Sequence, residues 1–211
     1  MVDAKLRFMF SPPGGLAVGP VRCAWTRHRR GTPAEGLARP WLAAALGLPA
    51  PALPLRRDAH GRPRLGVAGA DASWSHSGEQ LLVALGTGVR VGADLELLRP
   101  RPRALELAAR FFAPAEGDAL SALPAEMREE AFVRLWCAKE AVLKAHGRGL
   151  AFGLHRLEFA LRDDAWALVA CDPALGAPAD WSLHAFTPMP GYLASLAWRP
   201  STPAPAPTMR G

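Results

Sequence analysis

Between residues 124 and 147 the apolar side chains recur at three- and four-residue spacing, which predicts one long helix. Phe132, Trp136 and Leu143 fall on one face of it, and Glu140 continues their line. Pro124 is followed by good helix formers, and His146-Gly147 supplies a stop. A carboxylate in line with a Phe-Trp stripe that faces the core needs a metal ion or a cation as partner. Lys144, four residues on, is its neighbour on the helix surface, and an ordinary exposed ion pair would account for these two equally well.

The rest of the chain alternates between strand and helix patterns. Residues 1–10 alternate charged and apolar side chains like a strand, and residues 18–25 read as a second one after a Pro-Gly loop. Residues 37–48 read as a helix with Leu37, Trp41, Ala44, Ala45 and Leu48 on one side, broken by the prolines of 49–54. Residues 56–64 form a basic turn. The apolar runs 80–85 and 89–95, joined by a short glycine-containing loop, predict a hairpin. Residues 104–112 read as a helix, 114–123 as a short helix or turn, and 156–161, 166–171, 181–186 and 192–198 as strands. Arg99-Pro100-Arg101-Pro102-Arg103 is a stiff connector. It divides an amino-terminal half (1–100) from a carboxy-terminal half (101–200), and the Pro-rich tail at 201–211 is expected to be disordered. The pattern is α+β.

Charge sharpens this division. The chain carries a net +6, but residues 1–103 hold 15 Lys/Arg against 7 Asp/Glu and residues 104–211 hold 10 against 12. An arginine-rich first half fits an anionic partner: a nucleotide phosphate, an acidic protein or a nucleic acid. An arginine-biased solvated face would look the same. Three cysteines, Cys23, Cys137 and Cys171, form no CxxC pair, which favours a reducing compartment. With no secretory pattern at the start and no apolar run long enough to cross a bilayer, a cytoplasmic protein without a membrane partner is expected.

The candidate chemistry is spread over four segments. Asp94 and Glu96 lie two apart on one side of a strand, and Glu140 follows 46 residues after Asp94. Three carboxylates suit a hard divalent cation that also binds phosphate oxygens, although a solvated strand edge would explain the first two. Ser75-His76-Ser77 can donate several hydrogen bonds to a phosphate. Gly61-Arg62-Pro63 alone is a turn.

In order, Gly61-Arg62-Pro63, Ser75-His76-Ser77, Val91-Gly92-Ala93-Asp94-Leu95-Glu96 and Trp136-Cys137-Ala138-Lys139-Glu140-Ala141-Val142-Leu143-Lys144 resemble the 4′-phosphopantetheinyl transferases, in the monomeric Sfp-type branch. Phe111-Phe112 before an acidic turn and Gly147-Arg148-Gly149-Leu150 also look like that family. Ala72-Ser73 stands where the family has Phe-Asn, Trp74 replaces a smaller aliphatic, and Ala93 stands where Ile or Val is common.

The resemblance implies two similar α/β halves about a pseudo-twofold axis, with the site in the cleft between them. It implies transfer of 4′-phosphopantetheine from coenzyme A to a serine of an acidic acyl or peptidyl carrier protein, in fatty-acid, polyketide or non-ribosomal-peptide biosynthesis. Adenosine 3′,5′-bisphosphate is the leaving product. Mg²⁺, with Mn²⁺ as an alternative, would sit on Asp94, Glu96 and Glu140. Catalysis would fall to Glu140, Lys144 and Asp94, and coenzyme binding to Arg62, Ser75, His76, Lys139 and Lys144, with Arg30 and Arg39 as further phosphate contacts. The alternatives are an inactive homologue that binds coenzyme A or carrier proteins, and a basic nucleic-acid-binding protein; no glycine-rich phosphate loop is present.

Overall fold

A computed structural model of the chain describes residues 14–201. The expected strand at 1–10 and the Pro-rich tail beyond residue 201 lie outside the described residues. The strands are β1 (Gly15–Val18), β2 (Val21–Arg27), β3 (Leu55–Arg57), β4 (Pro63–Leu65), β5 (Ala70–Ser77), β6 (Gln80–Thr87), β7 (Val89–Leu97), β8 (Leu157–Arg162), β9 (Ala165–Cys171), β10 (Ser182–Phe186) and β11 (Tyr192–Pro200). The helices are α1 (Glu35–Ala45), α2 (Ala104–Phe111), α3 (Pro114–Ala122) and α4 (Ala125–His146). The fold is the expected α+β type.

Two antiparallel sheets lie back to back, each with a helix on its outer face. The first has the order β1-β2-β6-β5 and the second β10-β11-β7. Alternation along β6 divides its side chains between two layers. Leu81, Val83 and Leu85 pack on Leu42 and Ala43 of α1, while Leu82 and Ala84 pack on Val91, Ala93 and Leu95 of the second sheet. Helix α4 covers the other face of that sheet, with Phe132, Leu135 and Leu143 joining Leu193 and Ala197 of β11. β3-β4 and β8-β9 are separate hairpins.

The expected hairpin between β6 and β7 does not form. β6 pairs with β2 and β5, whereas β7 pairs with β11, Asp94 opposite Ser195. At Gly88, with φ of +70°, the chain instead steps from one sheet to the other. The local pattern gave the right strands, but the partner of β7 is a strand a hundred residues away.

Gly92 decides how close α4 comes to β7. A Cβ built there would overlap the Ala141 carbonyl and crowd the Ala145 amide, so only a glycine admits the helix at this depth. The helix ends on Gly147, which takes the left-handed φ of +104° that favours glycine.

Candidate active site

With α4 seated on Gly92, the next residues on the same face of β7, Asp94 and Glu96, meet the last turns of the helix. Lys144 donates to Asp94 Oδ1 at 2.6 Å and to Ser75 Oγ at 2.9 Å, and Ser75 donates to the same Asp94 oxygen at 2.8 Å. Residues from β5, β7 and α4 thus close a triangle. Asp94 is buried, whereas the Lys144 side chain keeps 27% of its surface exposed toward the cleft. Glu140, one helical turn before Lys144, is buried, and among the described residues nothing donates to its carboxylate. Glu96 receives Arg101 at 2.8 Å and Ser77 at 3.2 Å.

The electrostatics are those of a site short of positive charge. Burial, then the charge of Asp94, pushes the Glu140 carboxyl up to about 7, although Lys144 opposes this. Burial and Asp94 also raise Glu96 against the pull of Arg101. For Lys144, burial favours loss of the proton but Asp94 and Glu140 outweigh it, so its pKa is raised and it stays an ammonium.

The other oxygen of Asp94, Oδ2, is buried and among the described residues has no hydrogen-bond partner by distance and angle, with the weakly donating Cys137 thiol beside Asp94. An orphaned carboxylate oxygen beside an unpartnered Glu140 fits a divalent cation, which takes an all-oxygen donor set. As they stand, Asp94 is turned to Lys144 and Glu96 to Arg101, and among the described residues no three acidic, His or Cys side chains form a metal-binding group.

Two open cavities meet at Lys144. One, of about 170 Å³, is walled by Arg57, Arg62 and Trp74; the other, of about 400 Å³, by Thr32, Ser75 and His76. Arg57 stacks over the Trp74 ring at 5.0 Å on the wall common to both. His76 stacks on His28, ring centroids 4.9 Å apart, and burial followed by the charges of His28 and Lys144 lowers its pKa. Arg30 is exposed at the edge of a third cavity, with His28, Thr32 and His76.

Three residues expected to hold coenzyme have their donors engaged elsewhere. Lys139 is fully buried, 2.7 Å from Glu116 of α3, and donates to the carbonyls of Leu154 and Leu157. On a helix turning about 100° per residue, it points away from the face that Glu140 shares with Lys144. Arg39 caps the carbonyls of Leu53 and Leu55 and pairs with Glu35, tying α1 to β3. Arg62 borders the smaller cavity, but its guanidinium is bound bidentately by Asp71 at 2.9 and 2.6 Å.

Sequence reasoning passed over the polar seam that joins β5 to β7. Asp71, Ser73 and Ser77, at every second position but one, accept the backbone N–H groups of Val91, Ala93 and Leu97 on the open edge of β7. Ser75 is the member whose hydroxyl turns to Asp94 instead. The period-two run Asp71-x-Ser73-x-Ser75-x-Ser77 was the available signal. Glu116, the buried partner of Lys139, also went unnoticed; its position in a short helix gives no hint of burial.

Comparison with known proteins places these residues in context. A family model described as the 4′-phosphopantetheinyl transferase superfamily matches residues 90–197. The 4′-phosphopantetheinyl transferase HetI of Nostoc sp. is 35% identical over 182 residues, 82% of this chain and 74% of that protein. The slr0495 protein of Synechocystis sp. is 42% identical over 100 residues, 46% of this chain and 41% of that protein. A 4′-phosphopantetheinyl transferase of Bacillus subtilis is 33% identical over 90 residues, 43% of this chain and 39% of its own length. Among the described residues, no helix is long and apolar enough to cross a membrane.

Proposed function

This chain belongs to the 4′-phosphopantetheinyl transferase superfamily, and on that premise we propose that it moves 4′-phosphopantetheine from coenzyme A to a serine of an acidic carrier protein. The Ser75–Asp94–Lys144 triangle beside an unpartnered Glu140, at the meeting of two cavities, carries this reading. The carrier serine oxygen forms a bond to the phosphorus bearing the pantetheine. The diphosphate bond on the other side breaks, releasing adenosine 3′,5′-bisphosphate, and the serine proton must be taken up.

Each residue has a task in that step. Lys144, a compact cation at the cleft, neutralises phosphate oxygens. His76 lines the larger cavity and offers a ring donor to a terminal phosphate, and Ser75, on the same wall, would do so on turning its one hydroxyl hydrogen away from Asp94. Glu140 would accept the serine proton, directly or through water, once the metal holds it. Asp94, Glu96 and Glu140 would hold Mg²⁺ or Mn²⁺, which when bound would supply positive charge to the diphosphate. The basic balance of residues 1–103 supports steering of an acidic carrier. The three free cysteines support a reducing, cytoplasmic setting.

The test is the intact mass of an apo carrier protein after incubation with this protein, coenzyme A and Mg²⁺. A gain of one phosphopantetheine, abolished by chelator and by Asp94→Ala, supports the reading. No gain on fatty-acid, polyketide and peptide carriers, with coenzyme A still bound, would replace it with a binding role.

A further inference from the structure

Arg62 and Asp71 form a buried ion pair that the proposed transfer does not use, with side chains 5% and 10% exposed. Besides its two bonds to Asp71, Arg62 donates from Nη2 to the Val91 carbonyl at 2.9 Å and from Nε to the Lys144 carbonyl at 2.8 Å. Asp71 Oδ2 in turn accepts the Val91 N–H at 2.8 Å. One pair of side chains therefore grips both polar groups of Val91 on β7 and the main chain of Lys144 itself.

That grip falls where the helix needs it. Lys144 and Ala145 lie in the last turn of α4, whose carbonyls have no donor within the helix. Arg62 supplies one for Lys144, and Arg90 Nη2 supplies another for Ala145 at 3.3 Å. A cation at this end also meets the negative end of the helix dipole. Only a guanidinium can serve Asp71 with two donors and two further carbonyls at once, and the bidentate, charge-assisted pair fixes its plane. The fifth N–H, on Nη1, faces the Pro63 carbonyl at 3.5 Å, so all five guanidinium donors have partners inside the protein.

Resting on the proposed reaction, we infer that Arg62 and Asp71 are positioning residues. They lock the end of α4 to the start of β7, three residues before Asp94, and so hold the Lys144 ammonium against Asp94 and Ser75. Arg62 does this from the wall of the smaller cavity, with its guanidinium donors turned into the protein rather than toward coenzyme A. Asp71 is an equal partner in the task.

The experiment compares wild type with Arg62→Met, Asp71→Asn and the double variant at a temperature where all are folded. Three quantities are read: kcat and KM for coenzyme A, the Kd of adenosine 3′,5′-bisphosphate, and the rate at which an amine-acetylating reagent modifies Lys144 in the free protein. Each single variant should lose kcat about tenfold, with KM and Kd within about threefold of wild type. The double variant should be no worse than the poorer single one, since both remove the same device. Lys144 should be acetylated several-fold faster in all three. Asp71→Glu, which keeps the charge, should recover part of the loss, and it replaces Asp71→Asn if that variant does not fold. Nucleotide binding weakened tenfold by Arg62→Met but untouched by Asp71→Asn would overturn the inference in favour of a direct ligand. Unchanged kcat and unchanged Lys144 acetylation would overturn it in favour of a purely structural pair. Should wild type fail to modify any carrier, the reaction itself is wrong, and the acetylation rates still decide whether the pair positions Lys144.

Discussion

Lys139 and Lys144 stand five residues apart on one helix, and each ends on a carboxylate at nearly the same distance, 2.7 Å from Glu116 and 2.6 Å from Asp94. Their surroundings make them different objects. The Lys139–Glu116 pair has no exposed surface, its remaining donors go to backbone carbonyls, and Phe112 and Phe159 cover it. Burial outweighs the attraction on both sides, lowering Lys139 to about 8 and raising Glu116. The Lys144–Asp94 pair opens on a cleft, keeps an Asp94 oxygen that among the described residues has no hydrogen-bond partner, and lies near Glu140, to which no described residue donates. A sealed ion pair with all its partners holds a structure together; an open one with partners missing can receive a substrate.

Removing the open cation should have the largest effect. Lys144→Met is expected to lower kcat about 10²–10³-fold, the range seen when one donor to a developing charge is lost. Steady-state transfer to an apo carrier protein measures this.

The sealed pair should answer in stability instead. Lys139→Met leaves Glu116 buried without its cation and should cost about 3–5 kcal/mol by denaturant unfolding. Replacing both, as Lys139→Met with Glu116→Leu, should return only part of that loss, because the Ala113 and Phe159 amides lose their acceptor. A double variant as unstable as the single one would mean that the pair gives more than mutual compensation.

Glu140 predicts a pH dependence belonging to the open site. Its carboxyl is raised from the usual 4.5 to about 7, so the folded protein holds that proton more tightly than the unfolded chain. The associated stability is full below about 4.5 and is lost as pH rises through about 7. In metal-free protein, Glu140→Gln should therefore match wild type in acid and exceed it at pH 8 by up to about 3 kcal/mol. Thermal unfolding at the two pH values checks the sign.

The smallest effect is expected at an ion pair that belongs to neither class. Arg27 and Glu79 meet at 2.7 Å with side chains 80% and 66% exposed. Arg27→Ala should change unfolding free energy by less than about 1 kcal/mol.

Much of the open site was legible in the sequence. The four-residue spacing of Glu140 and Lys144 and the two-residue spacing of Asp94 and Glu96 are geometric facts of helix and strand, and the structure brings the two pairs close enough to act on one another's charge. The helix over residues 125–146 and its stop at Gly147 follow from local pattern alone. What could not be read depends on distant partners. The crossing of β7 to β11, the burial of Lys139 on Glu116 and the engagement of Arg62 by Asp71 are each set by a residue outside any local window. The helical period did contain a warning about Lys139: a residue next to Glu140 in sequence cannot share the face that Glu140 shares with Lys144.

The central claim is that one lysine serves chemistry and the other serves the fold. It is tested most directly by carrier-protein mass after incubation with coenzyme A and Mg²⁺, at a temperature where every variant is folded. The account predicts that the double variant Lys139→Met with Glu116→Leu still adds phosphopantetheine, while Lys144→Met adds almost none in the same time. Full transfer by Lys144→Met, or none by the folded double variant, would contradict it.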